Sequence, residues 1–363
     1  MKAIKGKGFG LLGLTLAVIA ILGAFTAGAS AAYDPIGGGT TKLLLDEGFL
    51  SLSKREGVTL KAKAPAKRRG KTILLPVSGG KEDPTTGKGE VEHEGTLVFQ
   101  KGNRKVPLRE IELKAKKTPL FAKVGGSQLK LASAKKITSR REGFGQGFGA
   151  TGLRLSAKVA TRLNKKLRTG EAFSEGLAIG TLKSSTQPQR VAILAQGQGT
   201  ITPDPQILAK FKALFVSLNP IAPAELQPGP VLRFPIAVGG QIAPDASEGT
   251  LRLAGAIEAL QLGAGQLFHS EYRLDLGAGS ASAEVDVEPT PAFPGKLGRV
   301  GVFDLGQGSV ASDPESRTIS VSAAPLTLTA ATAQSFDEAF AAGAPTFAAG
   351  EAFGVVAFGA VGQ

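Results

Sequence analysis

Side chains able to ligate a metal or move protons near neutrality are scarce in this chain of 363 residues. It has two histidines, His93 and His269, two tyrosines, Tyr33 and Tyr272, no cysteine, and no methionine beyond the initiator Met1. The lack of cysteine excludes disulfides, thiolate metal sites, cysteine nucleophiles and a lipoprotein anchor. Two histidines are too few for a histidine-rich metal centre. His269 and Tyr272 lie three apart on one expected strand, 265–276. Period-two geometry puts them on opposite faces, so they serve one ligand only if a bulge intervenes. Tyr272 reads as a core aromatic with a satisfied hydroxyl, His93 as a buried hydrogen-bonded histidine, and His269 as a surface strand residue.

Other patterns fail on context. Gly147-Phe148-Gly149-Ala150-Thr151-Gly152 spells a dinucleotide fingerprint and precedes a helical run. Ser139-Arg140-Arg141-Glu142 before it is no buried strand, and no acid follows at the right distance, so the segment reads as a flexible loop. His93-Glu94 has Leu97 where a zinc protease needs its second histidine. No Gly-x-Ser-x-Gly elbow occurs. Glu90, Glu92 and Glu94 alternate onto a solvent face. No enzyme is expected.

Charge is distributed unevenly. Residues 34–200 hold 32 Lys and Arg against 14 Asp and Glu, and residues 201–363 hold 8 against 16. One basic cluster, expected in a loop, contains Lys61, Lys63, Lys67, Arg68, Arg69 and Lys71. A second contains Lys114, Lys116, Lys117 and Lys123. Lys165, Lys166 and Arg168 suit the last turn of a helix. Aromatic residues are not interleaved with these cations, which argues against single-stranded nucleic acid. A basic surface attracts polyanions in general.

The elements that position these residues are mostly strands. Val91, His93, Gly95, Leu97 and Phe99 alternate with Glu90, Glu92, Glu94, Thr96 and Val98, and apolar runs recur between Gly, Pro, Ser and Asp clusters. The segments around Leu75-Pro76-Val77, Gly89–Leu97, Glu110–Leu113 and Leu153–Ala157 recur in order around Phe234-Pro235-Ile236, Gly249–Ile257, Glu271–Leu274 and Leu326–Ala330. This repeat aligns His93 with Leu253 and Tyr272 with Ile111, and joins its two copies near 184–189. The fold class expected is mainly β: two tandem antiparallel sandwich- or barrel-like modules, 42–186 (basic) and 190–363 (acidic), each with one short amphipathic helix. Ser156 and Thr329 are the expected N-caps of those helices. Val159, Leu163 and Leu167 form the buried stripe of the first, and Ala333, Phe336 and Phe340 that of the second. Gly170 and Gly343 are the expected C-caps.

The N-terminus has the form of an export signal. Lys2, Lys5 and Lys7 precede an apolar run from Leu11 to Phe25, and Ala29-Ser30-Ala31 supplies small residues for cleavage before Ala32. The expected mature protein is secreted or held at the cell envelope, with no membrane span after removal of 1–31.

At Leu75–Gly80, the Asp83-Pro84 turn, Gly89–Leu97 and the later Leu153–Leu167 run, the chain resembles the HtaA-domain family of exported actinobacterial proteins. The resemblance spans most of both modules. It implies a non-enzymatic surface protein that binds haem for iron uptake, usually through a tyrosine with a nearby histidine. The haem-ligand candidates are then Tyr272, His93 and His269, with Arg252 or Arg273 available to the propionates. The first module has no tyrosine in its body, because Tyr33 lies in the leader region. The alternative is an envelope-associated structural protein whose basic module holds polyanionic wall material. Lys67, Arg68, Arg69, Lys116 and Lys117 would carry that binding, with no nucleic acid as partner.

Overall fold

The computed structural model describes residues 33–363 apart from 116–118, 264, 288–294 and 342–343. The expected signal segment, Lys116, Lys117 and the expected C-cap Gly343 lie outside the described residues. Two antiparallel sheets of twelve strands follow one another along the chain.

In the first sheet eight strands close a ring through a final β7–β8 pairing. Around the ring these are β1 (Asp34–Leu45), β4 (Thr72–Asp83), β5 (Lys88–His93), β7 (Arg104–Ala115), β8 (Pro119–Val124), β9 (Ser127–Ser133), β11 (Gly145–Leu155) and β12 (Ala178–Pro188). Off the ring, β2 (Thr59–Lys63) pairs with β6 (Thr96–Lys101), which pairs with β7. The short β3 (Lys67–Arg69) pairs with β4, and β10 (Lys136–Glu142) pairs with β11.

The second sheet repeats this plan strand for strand. Its ring is β13 (Val191–Pro203), β16 (Val231–Ile242), β17 (Gly249–Leu253), β19 (Gly265–Asp275), β20 (Ser280–Val287), β21 (Lys296–Leu305), β23 (Thr318–Leu328) and β24 (Ala352–Gly362). A β19–β20 pairing closes it. β14 (Val216–Ile221), β18 (Ala256–Gln261), β15 (Glu225–Gln227) and β22 (Ser309–Asp313) are its off-ring strands. The mainly β, two-sheet expectation is met, and each sheet is a closed barrel. Closure gives each ring strand a partner on both sides.

Alternation fixes which side chains fill each barrel. Leu43 and Leu45, Ile73 and Leu75, and Val91 and His93 are buried on successive strands of the first. Ile201, Phe234, Ile236, Leu251 and Leu253 do the same in the second. Gly180 and Gly354 occupy matching places at φ 143° and 152°. A Cβ there would lie 2.0 Å from the Leu44 carbonyl oxygen or 2.1 Å from that of Thr202. The glycine in each copy's last strand therefore lets two backbones meet.

Each barrel has two helices rather than one. The expected pair are α2 (Ala157–Leu167) and α4 (Ala330–Phe340), with Ser156 and Thr329 accepting hydrogen bonds from the amides of Val159 and Thr332. Val159, Leu163 and Leu167 are buried against the first core, each worth roughly 1.5–3 kcal/mol. The left-handed cap of α2 is Arg168 at φ 54°, not Gly170, which follows it. The helices not expected are α1 (Glu47–Arg55) and α3 (Pro205–Ala213), capped by the carboxylates of Asp46 and Asp204.

Three further expectations change. The first sheet begins at Asp34, because β1 pairs with β12 and β4 well before residue 42. The Gly147–Gly152 segment is strand, since its glycines let β11 run between β10 and β12. The basic segment 61–71 is likewise two strands around a turn, β2 and β3, rather than a loop. The barrels also touch. Asp34 accepts the Ala192 amide at 3.0 Å, and Phe144, from the β10–β11 turn, is buried in the second core.

Candidate ligand site

β19 carries a bulge between Ser270 and Arg273. Glu271 sits in it at φ 50°, in the left-handed region. The extra residue breaks period two, so His269 and Tyr272 turn to the same side. Both are buried, at 5% and 1% exposure, and their ring centroids are 6.3 Å apart. The bulge condition for a shared ligand is thus fulfilled, and His269 is an interior residue rather than a surface one.

Aromatic rings enclose the pair. Phe234 meets Tyr272 edge to face at 5.5 Å, and Phe336 stacks on His269 at 6.0 Å. Burial lowers the His269 pKa to about 4, so the imidazole is neutral at pH 7, and burial pushes the Tyr272 phenol well above its usual value. The Tyr272 hydroxyl is buried with no hydrogen-bond partner among the described residues, which corrects the satisfied hydroxyl expected there. An unpaired buried hydroxyl costs about 1–3 kcal/mol.

On the exposed side of the bulge is a cavity of about 480 Å³ whose walls include Val238, Arg252, Gly255, Glu271, Tyr272 and Arg273. Arg252 and Arg273 stand directly opposite each other in register. Arg299, also in the wall, is held by Glu271 at 3.3 Å and Glu284 at 3.1 Å. The acidic half of the chain thus carries a local basic rim. In the first barrel the matching opposed pair is Glu92 and Glu112.

His93 lies apart from this site, in the first barrel, buried as expected. Its Nδ1 donates to the Ile111 carbonyl at 2.9 Å, and its Nε2 is 2.6 Å from Thr41 Oγ1, which in turn is 2.7 Å from Ser184 Oγ. Burial lowers its pKa to about 4. The second barrel replaces the three together: Leu253 for His93, Gly199 for Thr41 and Phe358 for Ser184. A Cβ on residue 199 would come within 2.8 Å of a Leu253 methyl, so a side chain there would make Leu253 shift.

Lys67, Arg68 and Arg69 are exposed on β3. Arg68 is committed to its own hairpin, donating to the carbonyls of Leu60 and Gly70. Lys114 is paired with Glu90 and Glu112. Tyr33 is exposed, with the Lys81 ammonium 5.5 Å from its ring centroid.

Asp34 and Glu82 were not foreseen. They face each other across β1 and β4, fully buried. Among the described residues, Asp34 Oδ2 and Glu82 Oε1 have no hydrogen-bond partner. Burial raises their pKa values to about 6 and about 7. In the sequence, Glu82 beside Asp83-Pro84 looks like part of an exposed turn. Only the cross-strand register reveals the pair.

No protein-family model matches the chain, and no curated protein does either. Among solved structures it is similar to the C-terminal domain of HtaA from Corynebacterium glutamicum, at 13% identity and a TM-score of 0.38. It is similar also to the N-terminal domain of the same protein, at 18% identity and a TM-score of 0.34. Each match covers 47% of this chain and 98% of the HtaA domain. The likeness is one of fold. Among the described residues no helix is long and apolar enough to cross a membrane.

Proposed function

We propose that the chain is an exported, non-enzymatic binding protein whose second barrel takes an anionic ligand at the Glu271 bulge. Haem is the ligand that the sequence resemblance implies. One observation carries the reading. A single left-handed residue turns a phenol with an orphaned hydroxyl and a neutral imidazole to the inner side of a strand, and on the outer side of the same bulge is a cavity rimmed by opposed arginines.

The residues fit haem in kind. Tyr272 would hold the iron, His269 lies beside it, and Arg252 and Arg273 would pair with the propionates. Haem would supply a metal centre that the protein's own side chains do not make. In the structure the Tyr272 hydroxyl is enclosed, so ligation requires the barrel wall to open at the bulge. The first barrel has Ile111 at the tyrosine's place and offers no matching phenol.

The test is a haemin titration of the full mature chain, with and without Tyr272→Phe. The wild type should give a defined Soret band that the variant shifts or loses, because only the ligating oxygen has gone. Identical spectra and affinities would make Tyr272 a core residue. Loss of affinity in Arg252→Gln with an unchanged band shape would assign that arginine to the propionates.

A further inference from the structure

We propose that the outer face of the first barrel carries an oxyanion site, centred on Lys42 and Lys183, for phosphate groups borne on a chain. The site is independent of the second barrel and its ligand.

Lys42 on β1 and Lys183 on β12 are directly opposite in register, and both are exposed. Both strands lie within the closed ring, so the facing Cβ atoms are held about 5 Å apart. Like charges opposed in this way destabilise a strand pair unless an anion lies between them. Among the described residues no carboxylate lies within ion-pairing distance of either lysine.

The two lysines line a groove of about 390 Å³. Next to Lys183 in register comes Gly149, followed by Thr138 on β10. At this register β11 presents only a glycine between Lys183 and Thr138. Thr40, Thr138 and Ser139 add hydroxyl-bearing side chains to the lining. Among the described residues the acid in the groove's lining, Glu142, is engaged by Arg140 at 2.7 Å and Ser185 at 2.9 Å. That engagement also removes Arg140 as a free planar fork for a carboxylate. Two ammonium point charges with surrounding hydroxyls suit a tetrahedral, multiply charged oxyanion instead. The second barrel has Thr200 opposite Ala357 at this register and no such site.

The experiment uses the full mature protein, calorimetric titration with long-chain inorganic polyphosphate, and competition by inorganic phosphate. Lys42→Gln/Lys183→Gln should weaken polyphosphate binding by about tenfold or more, the worth of one or two charge-assisted hydrogen bonds. Arg104→Gln/Lys105→Gln, which removes the same charge from the exposed start of β7, three places round the ring from β1, should change it little. The thermal midpoint of Lys183→Gln should equal or exceed the wild type, because repulsion is relieved, which separates lost binding from lost folding. Competition by inorganic phosphate with the same lysine dependence would place recognition in the phosphate group. Lysine-dependent polymer binding without such competition would place it in the chain. Absence of polyphosphate binding, or equal losses from both variant pairs, would overturn the site.

Discussion

Ile111 and Tyr272 occupy the same place in the two barrels, each one residue beyond a left-handed glutamate, Glu110 at φ 46° and Glu271 at φ 50°. Leu108 and His269 match in the same way, opposite Leu97 and Ile257. The bulge is therefore a property of the fold. What differs is the chemistry that it turns inward: two aliphatic side chains in the first barrel, an imidazole and a phenol in the second.

A left-handed glutamate is strained where glycine is not. Glu271→Gly should raise stability by about 1 kcal/mol less the weak exposed pairing with Arg299. Urea unfolding of the variant would read this directly. A clear loss of stability would mean that the Glu271 side chain, rather than its backbone, holds the bulge.

Asp34 and Glu82 make stability depend on pH. Burial raises both pKa values, from 3.8 to about 6 and from 4.5 to about 7. As pH rises through that window the unfolded chain gives up these protons first, so the folded state loses stability until ionisation is complete. For Glu82 the loss is on the order of 3 kcal/mol. Buried neutral histidines act oppositely: His93 and His269, with pKa values near 4, lose stability as pH falls below about 6.5. Comparison with Glu82→Gln isolates the carboxylate. The variant's thermal midpoint should gain on the wild type between pH 5 and pH 8. A constant difference across that range would show that Glu82 is not buried as described.

Much of the architecture was legible in the sequence. Period two, the two N-caps and the repeat all rest on local spacing, and the barrels keep them. The face of His269 was not legible, because it depends on one left-handed residue, and a glutamate there gives no warning. The helices α1 and α3 were missed because they are short and bury only two residues each. Asp46 and the Asp204-Pro205 pair were their available signals. Asp34 and Glu82 could not be paired from spacing, since strand register alone opposes residues 48 positions apart.

The His93, Thr41 and Ser184 set should behave as a unit. His93→Leu alone leaves the Ile111 carbonyl without its donor and should cost about 1–3 kcal/mol. The variant should also lose part of the wild type's acid sensitivity below pH 6.5. Introducing the second barrel's solution, Thr41→Gly/His93→Leu/Ser184→Phe, should recover part of that cost. Additive losses across the three sites, measured by denaturant unfolding, would show that the positions are not coupled.

The second barrel has its own closed ring, its own helices and a core drawn almost wholly from its own chain. A fragment spanning 190–363 should therefore unfold cooperatively on its own. It should be less stable than in the full chain for two reasons. Phe144 no longer fills its place in the core, and the Ala192 amide loses the Asp34 carboxylate. Truncation of a buried phenylalanine in the intact protein costs about 3–5 kcal/mol. Phe144→Ala in the full chain should thus lower the second barrel's unfolding midpoint toward that of the fragment and leave the first barrel's nearly unchanged. Differential scanning calorimetry of the three proteins tests this. A fragment with no cooperative transition would refute the two-module reading, and a Phe144→Ala variant that destabilises both barrels equally would show that they unfold as one.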